Sequence, residues 1–318
     1  MTPARPDPPA ARVLNTTDID EQSALLEGWN QSYSQLAPGR FQGRLEDAEL
    51  GGAYLFREVT SQALLQSGDL GPDVVALGVP RFIGGAALFC GRHCDGRQLH
   101  LFSGHDGFEF HTPAGLDIAG IELSRARLLA PCAEPERERL ALRLARPGLR
   151  AAPEGLRNRL GLTLGDAFGK IAEGAMTGAE TRAMLDEIAG LIRESLLSAD
   201  ADETDAGERL SGAEAIARLR TIVEAARPED PTDIDSLCHA IGISRRNLQY
   251  VFARELGMRP LAYVRALRLN AARRRIREGL SVTEAATATG FWHFGRFAQD
   301  YRTLFGELPR DTLRRSAA

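Results

Sequence analysis

The 318-residue sequence contains a single lysine, only four cysteines and few aromatic residues, and it lacks a long apolar run. Four scattered cysteines are too few for a disulfide-dense secreted domain, which favours a reducing compartment. No stretch approaches the roughly 18 apolar residues of a membrane-spanning helix, and the N-terminus lacks the apolar core of a signal peptide. We therefore expect a cytoplasmic protein without a membrane anchor, in which the Pro/Ala-rich residues 1–12 are a disordered tail.

Charge is distributed unevenly along the chain. Residues 208–318 contain 19 arginines and 13 acidic residues, a net charge of +6, whereas the remaining residues carry −10. The acidic segment 198–210 has no apolar periodicity and is predicted to be an exposed linker. This asymmetry is typical of a nucleic-acid-binding domain, here residues 211–318, that follows an effector-binding or dimerisation domain at 13–197. A basic segment of this size also arises by chance.

The first two-thirds of the chain change their apolar period twice. Apolar residues at spacings of three and four after Asp20 predict a helix that runs to Pro38-Gly39. From Phe41 to Ser124, short apolar runs alternate with Gly, Pro and Asp, which predicts a β-sandwich or small barrel with a small-molecule pocket inside. Helices resume near Pro135, and the apolar stripe at 184–196 is core or a dimer seam. The fold class is α+β.

A first helix-turn-helix unit is predicted between Asp233 and Gly257. Asp233 caps a short helix, Gly242 provides the tight turn, and Ser244 caps a second helix. Its outward side chains are Arg245, Arg246, Gln249 and Tyr250. Arg and Gln on the early turns of such a helix match guanine and adenine edges in the major groove, although a solvated helical face has the same pattern.

A second unit follows from Ser281 to Pro309. Ser281 and Glu284 form a predicted capping box, Gly290 provides the turn, and four aromatic residues fill a core. Arg296 and Gln299 point outward from its second helix. A long helix that begins at Pro260 separates the two units, and this spacing would let one chain read two successive grooves, about 34 Å apart.

The two segments GISRRNLQYVFARELGMRPLAYVRALRLNAARRRI and GFWHFGRFAQDYRTLFGELP resemble the DNA-binding domain of AraC/XylS-family transcription regulators. The resemblance covers about residues 211–315. It implies that the first unit reads bases through Arg246, Gln249 and Tyr250. In the second unit, the base-reading positions are those of His293, Phe294, Gly295, Arg296 and Gln299. Phe294 and Gly295 depart from the family pattern because they lack polar groups, which leaves Arg296 and Gln299 as the stronger candidates.

Enzyme-like interpretations of the β region remain open. His and Cys residues between 90 and 111 could bind zinc or iron, but their spacing fits no closed zinc pattern, and we predict no metal. A methyl-accepting cysteine at Cys90 or Cys94, as in DNA-repair proteins that share this type of DNA-binding domain, is a further alternative. The predicted function requires no catalysis.

The segments WNQSYSQLAPGRFQGRLEDAEL, LFREVTSQALLQSG and FHTPAGLDIAGIELS resemble the N-terminal domain of regulators of ethanolamine-utilisation operons. The resemblance implies an activator that senses ethanolamine with adenosylcobalamin. A cationic effector needs a carboxylate or an aromatic face, and Glu58, Glu109 and Glu122 are the candidates because phenylalanines are their near neighbours. The sequence does not show which of the histidines at 93, 100, 105 and 111 would bind cobalamin. For each carboxylate, a solvated strand residue is the simpler alternative.

These observations predict a sequence-specific transcription regulator that binds promoter DNA and RNA polymerase and responds to a small molecule. The effector shifts the population of domain arrangements in this hypothesis. A homodimer is a further expectation. The competing hypotheses are an effector-independent DNA-binding regulator and an enzyme with an accessory DNA-binding domain.

Overall fold

The computed structural model describes residues 11–104, 107–174, 176–198 and 212–316. An N-terminal part combines two antiparallel sheets with helices, and the C-terminal part is helical, which confirms the α+β prediction. Most of the predicted linker, 199–210, and residues 1–10 of the predicted tail lie outside the described residues. Arg12, which we assigned to the tail, instead begins a strand because it pairs with Asp47, with 2.8 Å between Nε and Oδ1.

The elements are as follows in chain order. The strands are β1 (Arg12–Thr16), β2 (Ser32–Gln35), β3 (Gly43–Leu50), β4 (Ala53–Thr60), β5 (Leu64–Gly68), β6 (Val74–Ile83), β7 (Ala87–Phe89), β8 (Arg92–Cys94), β9 (Leu99–Ser103), β10 (Phe108–Thr112), β11 (Leu116–Ser124) and β12 (Gly148–Arg150). The helices are α1 (Ile19–Leu25), α2 (Arg125–Leu129), α3 (Glu136–Arg143), α4 (Glu154–Ala172), α5 (Gly178–Ser198), α6 (Gly212–Ala225), α7 (Ile234–Ile241), α8 (Arg245–Leu256), α9 (Pro260–Arg277), α10 (Val282–Ala288), α11 (Phe294–Phe305) and α12 (Pro309–Ser316).

The strands form a seven-stranded sheet in the order β1-β3-β4-β11-β6-β9-β12 and a five-stranded sheet in the order β2-β5-β10-β7-β8. Aromatic side chains fill the space between the two sheets, among them Trp29, Phe56, Phe89 and Phe102. Their rings meet at centroid distances of 4.9–5.3 Å, mostly edge to face. These rings therefore pack the region between the sheets in which the sequence predicted a small-molecule pocket.

Helices α3, α4 and α5 cover the outer face of the seven-stranded sheet. The apolar stripe of α5, Met184 to Leu196, is buried against this sheet and the neighbouring helices. Of the two interpretations that the sequence left open, the structure supports core packing.

The helix predicted from Asp20 to Pro38-Gly39 is wrong beyond Leu25. Asp18 caps α1, but Gly28 (φ 83°) and Asn30 (φ 38°) then adopt backbone angles that end a helix. The chain continues as β2, in which Tyr33 is buried. The spacing of apolar residues misled the prediction because Trp29 and Tyr33 are buried through tertiary contacts in two different cores.

The C-terminal helices α6 to α12 pack around a second apolar core that also includes Tyr33, Leu36 and Phe41 of the N-terminal part. Helix α6 begins at Gly212, and the preceding Ser211 lies outside the described residues. Gly306 (φ 72°) ends α11 in the left-handed conformation. Pro309, the last residue of the predicted second unit, opens a further helix, α12.

Candidate DNA-binding surface and effector site

The first helix-turn-helix unit is built as its sequence predicts. The Asp233 carboxylate accepts hydrogen bonds from the backbone N–H groups of Asp235 and Ser236 and so caps α7. Gly242 ends α7 in the left-handed conformation (φ 80°), and the Ser244 hydroxyl accepts from Asn247 N–H to start α8. These local bonds set the angle at which α8 leaves the turn.

Helix α8 buries one face and exposes the other. Leu248 and Phe252 are completely buried. The four predicted contact residues, Arg245, Arg246, Gln249 and Tyr250, are all exposed. The guanidinium of Arg254 lies 5.3 Å from the centroid of the Tyr250 ring, which adds a cation to the same surface. The structure therefore presents the predicted residues together on one accessible helix face.

The second unit has the predicted capping box, in which the Ser281 hydroxyl and the Glu284 carboxylate accept each other's backbone N–H. Phe297 and Tyr301 lie on the inner face of α11 and are buried. His293, Arg296 and Gln299 are exposed on the opposite side. The Arg296 Nε lies 3.8 Å from Asp300 Oδ2, so a weak intrahelical ion pair orients this arginine.

Two large apolar side chains are also exposed at the start of α11. Trp292 is 58 % exposed and Phe294 is 47 % exposed. Sequence reasoning noted that Phe294 lacks a polar group but did not single out Trp292 as a site residue. An exposed aromatic residue at the start of a recognition helix can contact a thymine methyl group.

A polar junction connects the two parts of the chain. The side chain of Asn270 in α9 accepts a hydrogen bond from Gln35 N–H (2.9 Å) and donates one to the Gln35 carbonyl (2.8 Å). His111 Nε2 lies 3.0 Å from the Tyr263 hydroxyl. Burial lowers the pKa of His111 to about 3, so this ring is neutral at pH 7. The sequence had no signal for these long-range pairs.

A buried charge cluster lies at the same junction. Arg273 in α9 is 3 % exposed and contacts Asp18 of the N-terminal part at 2.7 Å and Glu307 at 2.6 Å. Arg277 contacts the same Asp18 oxygen at 2.6 Å. Burial favours protonation of Asp18, but the charges of Arg273 and Arg277 outweigh burial and lower its pKa. Hydrogen bonds from Arg315, Thr312 and Arg273 likewise outweigh burial and lower the pKa of Glu307 to about 2.

The three predicted effector carboxylates do not converge. Glu58 is buried and accepts hydrogen bonds from Gln22 Nε2 (2.9 Å) and the Tyr33 hydroxyl (2.8 Å), and burial raises its pKa. Glu122 accepts from Trp29 Nε1 at 2.8 Å. Each of these carboxylates has a structural partner, so neither is a free site for a cation.

Glu109 has a different environment. Its Oε2 lies 2.6 Å from Arg220 Nη2 of α6, and burial, opposed by the Arg220 charge, raises its pKa. Glu109 and Arg220 line a polar cleft of about 490 Å³ together with Asp69 and Cys90. Glu109 is thus a predicted effector carboxylate that lines an accessible cleft.

A larger cavity of about 720 Å³ lies between the two parts of the chain. Its walls come from the loop after β2, the end of β10, the end of α8, and from α9 and α11. None of the three predicted effector carboxylates lines it. Sequence reasoning missed this cavity because its walls are far apart in the chain.

Metal and thiol chemistry find no support in the described part of the chain. Within it, no three His, Cys, Asp or Glu residues are grouped as metal ligands, and His105 lies outside it. Burial raises the pKa of Cys90 to about 11 and that of Cys94 to about 12, so both are protonated thiols rather than activated nucleophiles. In the same residues, no helix is long and apolar enough to cross a membrane.

The described cavities also do not fit a cobalamin. Cavities of about 300–1,000 Å³ hold drug-sized ligands, and a corrinoid is far larger. His100 is completely buried between Phe89 and Phe110, with ring centroids 4.8 and 5.0 Å away, and is inaccessible as an axial ligand. His93 pairs with Glu255.

Comparisons with known proteins agree with the C-terminal geometry. Residues 237–315 match a family model described as a helix-turn-helix domain. The XylDLEGF operon transcriptional activator 1 of Pseudomonas putida is 42 % identical over 86 residues, which are 26 % of this chain and 26 % of that protein. The probable thc operon regulatory protein of Rhodococcus erythropolis is 34 % identical over 105 residues, 31 % of each chain.

Among solved structures, a probable AraC family transcriptional regulator from Rhodopseudomonas palustris is 35 % identical and covers 32 % of this chain and 96 % of its own, with a TM-score of 0.30. The chain matches about a quarter of the length of the first curated relatives. The C-terminal third thus contains a helix-turn-helix domain, and the relatives that match it are named as transcriptional activators and regulatory proteins.

Proposed function

We propose that the protein is a sequence-specific transcription regulator that inserts α8 and α11 into successive major grooves of promoter DNA. The observation that carries this proposal is the pair of helices, α8 and α11, whose exposed faces carry Arg246, Gln249, Arg296 and Gln299. Arg and Gln donate and accept at base edges, and the net positive charge of residues 208–318 attracts phosphates. Trp292 and Phe294 add apolar contacts in the second groove.

Activation is the proposed direction of regulation, with RNA polymerase as the protein partner, because similar proteins are named transcriptional activators. Such a protein acts in the cytoplasm, where bacterial promoter DNA is. If it dimerises, the interface uses a surface other than the buried stripe of α5.

A small-molecule effector is part of the proposal. Ethanolamine with adenosylcobalamin is the pair that the N-terminal resemblance implies, and the cleft that contains Glu109 and Asp69 is where the ethanolamine cation could find carboxylates. Thermal unfolding with ethanolamine, adenosylcobalamin, both or neither tests this pair. A ligand at 100 times its dissociation constant adds about 2.7 kcal/mol of stability, and no shift would reject the pair.

The DNA proposal is tested by selecting a binding site from random duplexes and measuring affinities for it by fluorescence anisotropy. Arg246→Ala should weaken binding to the selected site by about 1–3 kcal/mol and relax the preference at one base pair. Arg139→Ala, at an exposed arginine of α3, is the matched control and should bind as the wild type does. Equal weakening on every sequence would make Arg246 a phosphate contact, and failure to enrich any sequence would reject the proposed function.

A further inference from the structure

The cavity of about 720 Å³ has walls from both parts of the chain. The N-terminal part contributes Ala86 and the segments 36–38 and 111–114, and the C-terminal part contributes residues of α8, α9 and α11. Ligand sites occur preferentially at such domain interfaces, and this volume lies within the usual range for a small molecule. By contrast, the space between the two sheets is filled with aromatic rings.

The chemistry of the walls defines the ligand. The apolar side chains that line the cavity are mainly Leu36, Leu256, Met258, Leu261, Leu269 and Leu304. The charged residues in the lining are Arg265 and Asp300, and they neutralise each other at 3.2 Å. His111 is neutral and is already held by the Tyr263 hydroxyl. A charged ligand would lose its hydration without gaining an unpaired opposite charge.

We propose that this junction cavity is a second effector site, separate from the cleft that contains Glu109, and that it binds an uncharged, largely apolar small molecule. The proposal rests on the regulator function proposed above and gives that function a ligand class and a location. It places the effector outside the barrel, in contact with the DNA-binding domain itself.

The position of the cavity explains how a bound ligand would affect DNA binding. Leu256 is the last residue of α8, and Leu304 lies in the last turn of α11, so both recognition helices contribute to the wall. The Leu304 carbonyl also accepts a hydrogen bond from the Gln35 side chain at 2.5 Å, which connects α11 to the end of β2. A ligand that needs both walls binds only when the two parts are docked, and it therefore favours this arrangement.

Nile red, an uncharged apolar dye whose fluorescence rises in apolar surroundings, is a suitable probe for the full-length protein. We expect saturable binding to the wild type. Ala262 on α9 and Ala86 on the opposite wall are exposed residues that line the cavity, so a tryptophan at either position fills space without disturbing a core. Ala262→Trp and Ala86→Trp should each weaken dye binding at least tenfold. Ala179→Trp, at an exposed alanine of α5 away from the cavity, should leave it unchanged.

Three outcomes would overturn the inference. These are absence of saturable binding, equal dye affinity in the wild type and both filled variants, and displacement of the dye by excess ethanolamine, since displacement would show that the site accepts a cation. The effector role further requires that saturating dye changes the affinity of the wild type for its selected duplex but not that of Ala262→Trp. Dye binding without this change would overturn the effector role.

The two proposals fail separately. A protein that enriches no DNA sequence but still binds the dye at this cavity would reject the regulator function. A protein that selects a DNA site but binds no dye would keep the regulator and reject the cavity.

Discussion

The side chain of Arg273 connects the two parts of the chain. It lies in α9, stacks at 5.0 Å over the Phe305 ring, and contacts the carboxylates of Asp18 and Glu307 in a buried environment. The surrounding negative groups outweigh burial and raise its pKa, so the guanidinium stays charged at every accessible pH. Removal of one partner from a buried ion pair leaves the other charge without compensation.

Arg273→Ala should therefore destabilise the protein by about 3–5 kcal/mol, measured by urea unfolding at pH 7. Arg275→Ala is the matched control because Arg275 is an exposed arginine on the same helix, and its loss should change stability by less than about 0.5 kcal/mol. Similar losses in the two variants would show that the buried cluster contributes nothing specific.

At the scale of elements, the contact between α9 and β2 joins a helix to the edge of a sheet. Among the residues that the structure describes, strand β2 pairs with β5 alone, which leaves its other edge free of a neighbouring strand. Asn270 occupies that edge by forming with Gln35 the two hydrogen bonds that a neighbouring strand would form. An edge strand that is covered in this way cannot pair with a second chain.

Asn270→Asp tests this contact with almost no change in shape. The carboxylate still accepts from Gln35 N–H but cannot donate to the carbonyls of Gln35 and Ala266, so we expect a loss of about 1–3 kcal/mol in urea unfolding. Asn247→Asp, at an exposed position near the start of α8, should change stability by less than about 0.5 kcal/mol. If Asn270→Asp were equally mild, the pairing at the strand edge would not stabilise the junction.

At the scale of the whole molecule, two buried histidines make stability depend on pH. His100 lies between the sheets and His111 lies at the junction, and burial lowers the pKa of each to about 3. The unfolded chain binds protons on these residues below about pH 6.5, whereas the folded protein does not. These residues therefore do not reduce the free energy of unfolding above pH 6.5. The free energy of unfolding decreases as the pH falls towards 3.

We expect a fall from pH 7 to pH 5 to cost about 2 kcal/mol for each histidine, measured by urea unfolding at several pH values. His100→Leu should remove about half of this contribution. His239→Leu, which changes an exposed histidine of α7, should preserve it. An unchanged pH dependence in His100→Leu would contradict a neutral His100.

Much of the C-terminal domain could be predicted from the sequence because its signals are local. The caps at Asp233, Ser244 and Ser281 and the turns at Gly242 and Gly290 act within a few residues, and all five lie where they were predicted. The exposed contact residues followed from the 3.6-residue period of helices that have one buried face.

The N-terminal part was less predictable because its patterns depend on distant partners. Trp29 and Tyr33 have helical spacing, but they lie in a loop and a strand that pack into different cores. Glu58 looked available for a cation until folding brought Gln22 and Tyr33 to it. No local pattern indicates that a carboxylate will accept hydrogen bonds from residues that are 25 or 36 positions away in the sequence.

The sequence by itself determined the helix-turn-helix units, their outward-facing side chains and the basic character of the domain that carries them, because caps, turns and periodicity act over a few residues. Only the tertiary structure decided that aromatic rings fill the space between the sheets, that Arg273 and Asn270 join the two parts, and that the larger cavity lies at their junction. The rings come from different strands and loops, and the junction contacts join residues more than 200 positions apart, so no pattern within a short segment can specify either.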